Sequence, residues 1–236
     1  SGKLIKTLFK EDNDKYVEPQ HELYFVSGKS NEFIWWSQRD GYMHLYRFDA
    51  NGKLINQITK GDWIVTDIVG ENAKKKELLI MTTKDSAKDR HLYAVNWENG
   101  KLRKITTESG THNVAVSSNG EFAIDNWSSD DIPRKIEVLD TKGKFKQNLL
   151  TAKNPLINYN TAKVENVTLK ADDGTDLYGK LIYPTNFDQS KKYPVIVYLY
   201  NGPHAQLITN RFPATGNLWY DHLAEKGYVV FTIDGR

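Results

Sequence analysis

A tripeptide that recurs at a nearly constant spacing constrains this chain more than any other feature. A glycine, a lysine and then a leucine or phenylalanine occur four times, beginning at Gly2, Gly52, Gly100 and Gly143, so successive copies start 50, 48 and 43 residues apart. A period of roughly 45 residues is typical of β-propeller blades, each of which must stack on its neighbours to bury its faces. The repeat therefore predicts part of an all-β propeller.

Two copies of the repeat show the internal layout of one blade. His44 and His91 each open a His-Leu-Tyr segment, and an Asn-Gly turn and a second strand segment follow in both copies. Strand, Asn-Gly turn and strand form a β-hairpin. With the stretches between hairpins, each period holds about four strands, the content of one antiparallel blade. About three blades fit before residue 158, fewer than the 4 to 8 of a closed propeller.

Repeat position also guides the interpretation of conspicuous side chains. Because His44 and His91 occupy equivalent positions, we interpret them as blade-building residues and not as a metal pair. The tryptophans of this part lie within or beside strand segments and are interpreted as core or inter-blade packing; they are Trp35, Trp36, Trp63, Trp97 and Trp127.

The composition excludes several classes of protein. The 32 basic and 30 acidic residues give a net charge of only +2, without the basic concentration of a nucleic-acid-binding surface. The absence of cysteine excludes disulfides, thiol nucleophiles and cysteine-ligated zinc. No apolar run approaches the roughly 20 residues that span a membrane, and the first ten residues have no signal-peptide layout. We expect no metal and no cofactor.

The pattern changes after Asn154 and predicts a second domain. One hairpin is followed by a continuous apolar strand, a helix ending before Gly227, and another apolar strand; the segments are Val164–Lys170, Asp176–Tyr183, Val195–Tyr200, Asn217–Lys226 and Tyr228–Ile233. Strand, helix and strand form a βαβ unit and therefore a parallel sheet. We place the propeller portion at residues 1–158 and the second domain at residues 159–236.

Several short motifs, in this order and at these spacings, are similar to one family. They are Trp36–Tyr46, Thr59–Val65, Lys192-Tyr193-Pro194, Tyr200-Asn201-Gly202-Pro203 and Asp234-Gly235-Arg236. Together they resemble the dipeptidyl peptidase IV branch of the prolyl oligopeptidase-like serine peptidases. The resemblance implies late propeller blades followed by the truncated start of an α/β-hydrolase domain. It implies a parent enzyme that releases amino-terminal dipeptides from peptide substrates, with proline preferred at the second position.

The resemblance assigns a catalytic role to Tyr200. In the family a tyrosine hydroxyl at this motif donates to the oxyanion of the tetrahedral intermediate, and Tyr200 matches that position. The alternative is a strand-end aromatic that packs under a loop. A second match, Val17-Glu18-Pro19, resembles a propeller segment that approaches substrate side chains in relatives, so Glu18 is a candidate substrate contact, although a solvated surface carboxylate is the default interpretation.

One motif of the family is missing from these residues. No Gly-x-Ser-x-Gly nucleophile segment occurs, so we expect this chain to be inactive as a peptidase by itself. The resemblance implies a parent that works outside the cytoplasm, with a homodimer as one option for its assembly. The alternatives are a related oligopeptidase or acylaminoacyl peptidase, and a binding module or family member that has lost its serine.

Overall fold

A computed structural model describes residues 2–18, 22–28, 31–200, 202 and 205–235. Within them the chain forms fifteen strands, one α-helix and a short 3-10 turn at Ala73–Lys75. The strands are β1 Glu32–Ser37, β2 His44–Asp49, β3 Leu54–Gln57, β4 Val65–Asn72, β5 Glu77–Thr82, β6 His91–Asn96, β7 Leu102–Lys104, β8 Thr111–Val116, β9 Phe122–Ser128, β10 Lys135–Asp140, β11 Phe145–Thr151, β12 Lys163–Lys170, β13 Asp176–Tyr183, β14 Val195–Tyr198 and β15 Val229–Ile233, and the helix is α1 Leu218–Glu225.

The first eleven strands form three separate sheets that are consistent with propeller blades. The strand orders are β1-β2-β3, β4-β5-β6-β7 and β11-β10-β9-β8. The second and third sheets confirm the prediction of four strands per repeat. In the first sheet the described residues form three strands, and an isolated bridge between Tyr24 and Ile34 lies at the fourth position.

The recurring Gly-Lys segment has a local physical cause. In two of the turns an aspartate Oδ1 accepts two backbone N–H groups: Asp49 from Asn51 and Lys53 at 2.8 and 2.9 Å, and Asp140 from Lys142 and Lys144 at 3.0 and 2.9 Å. The glycines of these turns, Gly52 and Gly143, have φ values of 82° and 93°. Such values lie in the left-handed region, where glycine is favoured. The repeat is therefore the sequence signature of one hairpin turn.

The central strand β5 shows how these sheets are stabilised. Leu78 and Ile80 belong to one buried cluster, whereas Leu79 and Met81 belong to another. Because successive strand residues point to opposite faces, this sheet is covered on both sides. That arrangement is expected of a unit that stacks on neighbours.

The repeat histidines are confirmed as blade-building residues. Thr59 Oγ1 accepts the backbone N–H of Leu45 at 3.0 Å and lies 3.0 Å from Nδ1 of His44. Thr106 Oγ1 repeats this arrangement with Leu92 and His91, at 2.9 and 3.1 Å. Each threonine hydroxyl is thus free to donate its proton to the histidine Nδ1. The packing interpretation of the tryptophans is also confirmed, since Trp36, Trp63, Trp97 and Trp127 are buried and Trp35 contacts Phe9 edge-on.

The fourth sheet has a different topology, with the order β12-β13-β15-β14. β12, β13 and β15 pair antiparallel, whereas β14 and β15 pair parallel. The helix α1 connects the two parallel strands, as the sequence predicts. It begins where the Asn217 side chain accepts the backbone N–H of Trp219, and it packs on Ile182 and Val230 through Ala224.

The strand β14 ends earlier than predicted. Its last paired residue is Tyr198, opposite Thr232, and its partner β15 ends one residue later at Ile233. Leu199 and Tyr200 therefore lie beyond the paired part of β14, although β15 continues for one more residue to Ile233.

The described chain divides into two compact units that are interleaved in sequence. One unit contains Ser1–Glu108, His112–Asp125 and Glu137–Gln147, and the other contains Ser109–Thr111, Asn126–Ile136 and Asn148–Arg236.

Candidate functional site

Tyr200, the proposed oxyanion donor, lies just beyond the carboxyl end of β14. Tyr200 is 63% exposed. The carboxyl ends of parallel strands are a common position for ligand sites in α/β sheets. Gly202 is described, whereas the motif residues Asn201 and Pro203 lie outside the described residues, as does Arg236 of the Asp-Gly-Arg motif.

Asp234 follows β15, the parallel partner of β14, and binds the chain that leaves the Tyr200 motif. Its Oδ1 accepts the backbone N–H of Leu207 at 2.7 Å, and its Oδ2 accepts that of Ile208 at 3.0 Å. Ile208 is fully buried. A carboxylate that accepts two backbone N–H groups fixes both position and orientation of the segment, because hydrogen bonds to charged groups are about twice as strong as neutral ones.

Residues 205–216, between the Tyr200 motif and α1, form an irregular segment without helix or strand. Lys180 holds the later part of this irregular segment. Its Nζ donates to Asp130 Oδ1 at 3.1 Å, to the carbonyl oxygen of Thr209 at 3.2 Å and to that of Ala214 at 2.6 Å. The residue is only 2% exposed. Burial of a charged group is tolerated where it is paired and hydrogen-bonded, and Lys180 meets this condition with three acceptors.

Asn210 extends this network of hydrogen bonds. Its side-chain oxygen accepts the backbone N–H of Asp130 at 3.0 Å, and its Nδ2 donates to Ser109 Oγ at 2.9 Å. Its carbonyl oxygen accepts the Thr111 hydroxyl at 2.9 Å. The irregular segment is therefore tied to residues far from it in sequence.

A cleft of about 260 Å³ lies beside this network. Its acidic side chains are Asp130, Asp131 and Asp221. Asp221 accepts the backbone N–H of Ala162 at 3.0 Å and the Thr215 hydroxyl at 2.8 Å. Its carboxylate thus serves the fold, as does that of Asp130.

Glu18, the candidate substrate contact, is half-buried and lines a small cavity of about 50 Å³ together with Glu11 and Arg39. The Arg39 guanidinium donates to Glu11 at 3.2 Å and lies 4.6 Å from the ring centre of Tyr46. Glu18 is therefore placed beside a paired cation, in a concave region of the first unit. Pro19, the next residue of the motif, lies outside the described residues.

Two tyrosine hydroxyls of the first unit, those of the half-buried Tyr24 and the buried Tyr93, are neutral hydrogen-bond donors. Burial, with Glu71 close by, raises the pKa of Tyr24 to about 12. Burial likewise raises the pKa of Tyr93, whose hydroxyl donates to Asp85 at 2.7 Å. These groups act as structural hydrogen-bond donors at neutral pH.

The described residues contain no group of three or more histidine or acidic side chains placed to hold a metal ion. None of their helices is long and apolar enough to cross a membrane.

Sequence reasoning missed the anchoring roles of Asp234 and Lys180. The burial of Lys180 could have been predicted from the sequence, because Lys180 and Ile182 are two residues apart in β13 and therefore lie on the same, inward face. Its partner Asp130 lies 50 residues away and had no sequence signal. Asp234 belongs to the Asp-Gly-Arg motif, which by itself predicts no contact with Leu207 or Ile208.

Comparison with known proteins gives one family for most of the chain. The model described as "Dipeptidyl peptidase IV (DPP IV) N-terminal region" matches residues 2–134. Human dipeptidyl peptidase 8 is 27% identical over 97% of this chain, which spans 30% of that protein.

Two solved structures share the fold over nearly the whole chain. A protein from Bacteroides ovatus, provisionally named a dipeptidyl aminopeptidase IV, is 39% identical with a TM-score of 0.86, over 95% of this chain and 35% of its own. Dipeptidyl peptidase 4 from Porphyromonas gingivalis is 30% identical with a TM-score of 0.80, over 91% of this chain and 30% of its own. The chain thus spans about a third of the length of the proteins that it matches.

Proposed function

The chain belongs to the dipeptidyl peptidase IV family, and from this premise we propose that it is part of a serine peptidase that releases dipeptides from the amino ends of polypeptides, with proline preferred at the second position. The match of the family model to residues 2–134 carries this proposal. The relatives are named dipeptidyl peptidases, which supports a hydrolase as the parent protein.

Residues 1–158 are proposed to be the late part of the propeller and residues 159–236 the start of an α/β-hydrolase domain. The parallel pair of β14 and β15, joined by α1, supports the second assignment. Val195 and Val197 of β14 are 58% and 57% exposed. Parallel sheets are normally covered on both faces, so an exposed apolar strand of this kind favours further elements that cover this sheet in the complete protein.

Tyr200 is proposed to stabilise the oxyanion of the tetrahedral intermediate. Its position beyond the carboxyl end of β14 and its exposure leave the phenol group accessible to a substrate. A fixed donor at the developing negative charge contributes about 2.7 to 4 kcal/mol to transition-state stabilisation. The nucleophilic serine would come from another part of the parent, and we propose that these 236 residues alone do not hydrolyse peptides.

Glu18 is proposed to contact the substrate from the propeller side. Its place in a cavity beside Arg39 supports a role in binding and not in bond cleavage. Replacement of Glu18 by glutamine in the complete protein should therefore raise KM and leave kcat unchanged, the signature of lost ground-state binding. The proposal also includes a location outside the cytoplasm, as the resemblance implies, and a homodimer is the assembly to test by light scattering.

The experiment that tests this function uses the complete protein that carries this chain. Alanyl-prolyl-p-nitroanilide is compared with alanyl-alanyl-p-nitroanilide and with the N-acetylated prolyl substrate, and an organophosphate probes for a reactive serine. We expect hydrolysis that prefers proline, requires a free amino terminus and is abolished by the organophosphate. Absence of hydrolysis and of labelling would contradict the peptidase and favour a binding module. Release of p-nitroaniline from the acetylated substrate would favour a related oligopeptidase, because that cut after proline needs no free amino terminus. Release of acetyl-alanine, which leaves prolyl-p-nitroanilide, would favour an acylaminoacyl peptidase.

A further inference from the structure

The segment between the Tyr200 motif and α1 has no regular secondary structure over residues 205–216. Backbone N–H and C=O groups that are buried without a partner are costly, so such a segment needs side chains to satisfy them. Irregular connections of this length are uncommon in compact domains and are often functional. The partners of this segment therefore indicate what holds it in place.

Asp234 satisfies the beginning of the segment. Both carboxylate oxygens accept backbone N–H groups, from Leu207 and Ile208 at 2.7 and 3.0 Å. The last registered pair of the parallel strands is Tyr198 with Thr232. Tyr200 and Asp234 each follow two residues later, so both lie beyond the same end of the pair. The contact consequently fixes Leu207 and Ile208 at the end of β15, which is the same end of the strand pair as that of Tyr200.

Lys180 satisfies the later part of the segment. Its ammonium group donates to the carbonyl oxygens of Thr209 and Ala214 and forms an ion pair with the carboxylate of Asp130. The side chain is only 3% exposed, which limits its motion. The segment is thus held by an anion at its beginning and by a cation farther along.

We propose that Asp234 is a positioning residue for Tyr200, and that Lys180 fixes the remainder of the same segment. This inference rests on the proposed function, because it assigns to Asp234 a role in the placement of the oxyanion donor. A displacement of about 1 Å at a catalytic group can reduce the rate about 100-fold, so a donor on an irregular loop needs such a support.

Asparagine at position 234 would keep the size of the side chain and remove one of its two acceptor oxygens. One oxygen would become an NH2 group that faces a backbone N–H, so one of the two hydrogen bonds is lost and two donors oppose each other. We expect Asp234→Asn to lower kcat about 10- to 100-fold, with KM changed by less than about twofold. Asp234→Glu keeps both acceptor oxygens and should recover part of the lost rate.

The test is a double-mutant cycle in the complete protein, with alanyl-prolyl-p-nitroanilide as the substrate. If Asp234 acts through Tyr200, Asp234→Asn should cost less than about twofold when Tyr200→Phe is already present. Asp188→Asn is the matched control, because Asp188 also accepts a backbone N–H, from Ser190 at 3.0 Å. We expect the control to leave kcat unchanged.

Hydrogen exchange provides a readout that does not depend on activity. Peptides that cover residues 205–208 should exchange faster in Asp234→Asn than in the wild type, whereas peptides from β5 should not change. Faster exchange in Asp234→Asn with an unaltered kcat would overturn the positioning role. So would a loss of kcat on Asp234→Asn that is the same with Tyr200 and with Tyr200→Phe. A loss in Asp234→Asn that Asp234→Glu does not recover at all, together with a lowered melting temperature, would also overturn it in favour of a purely structural role.

The same experiment separates this inference from the proposed function. An unchanged kcat in Tyr200→Phe would overturn the oxyanion role and, with it, the action of Asp234 through Tyr200. A strongly reduced kcat in Tyr200→Phe, with no effect of Asp234→Asn, would overturn only the positioning role.

Discussion

Two strands with similar sequences have opposite environments in this chain. The strand β5 contains Leu78, Leu79, Ile80 and Met81, and its first three apolar side chains are fully buried. The strand β14 reads Val-Ile-Val-Tyr, and its residues Val195, Val197 and Tyr198 are 58%, 57% and 43% exposed. β5 has a paired strand on each side, whereas among the residues that the structure describes β14 pairs with β15 alone.

An apolar run predicts a strand that is stable only when both of its faces are covered, and elements packed on those faces supply that cover. In the blades, neighbouring sheets supply that cover: Leu45 of β2 packs in the cluster of Leu78, and Val114 of β8 packs in the cluster of Leu79. Within the described residues, Val195 and Val197 of β14 lack such cover, although the sequence of β14 has the same requirement.

The largest expected effect concerns these two strands. Leu79→Ala in β5 should lower the free energy of unfolding of the complete protein by about 2 to 5 kcal/mol, because it leaves a cavity in a closed core. If β14 gains cover in the complete protein, Val197→Ala should also cost more than about 1 kcal/mol. Urea unfolding followed by tryptophan fluorescence measures both values. A cost for Val197→Ala within about 0.5 kcal/mol of zero would mean that β14 stays exposed there.

A smaller effect on stability is expected from the buried hydroxyl groups of Thr59 and Thr106 in the blades. Thr59→Val removes the hydroxyl that accepts from Leu45 N–H and donates to His44, so two buried groups lose their partner. We expect a loss of about 1 to 3 kcal/mol, and the same loss for the repeat-equivalent Thr106→Val. Thr168→Val, at an exposed position of β12, is the control and should change stability by less than about 0.5 kcal/mol. Unequal losses at the two repeat positions would argue against an equivalent role.

The smallest effect is a pH dependence at one hairpin turn. The backbone N–H of Lys144, with the Lys146 side chain, lowers the pKa of Asp140 to about 2. Its ordinary value is 3.8, so the ionised side chain contributes stability above that pH, and the contribution is lost as the pH falls through about 2. The difference in melting temperature between the wild type and Asp140→Asn should therefore shrink between pH 4 and pH 2. A difference that stays constant over this range would contradict the assignment.

The sequence predicts the blades better than the candidate site because their determinants are local. An aspartate or asparagine followed a few residues later by glycine defines the repeated turn, and alternating apolar residues define the strands. The single bridge at Tyr24 escaped prediction, because pairing of a short segment depends on its neighbours. The contacts of Lys180 with Asp130 and of Asp234 with Leu207 join residues 50 and 27 positions apart, and local pattern does not encode such distances.

The oxyanion role of Tyr200 is tested most directly by the turnover of the complete protein with phenylalanine at this position. We expect Tyr200→Phe to lower kcat for alanyl-prolyl-p-nitroanilide by about 10² to 10³, with substrate affinity little changed, because one oxyanion donor is removed while the fold is kept. An unchanged kcat would contradict it and would leave Tyr200 as an exposed aromatic at the end of a strand.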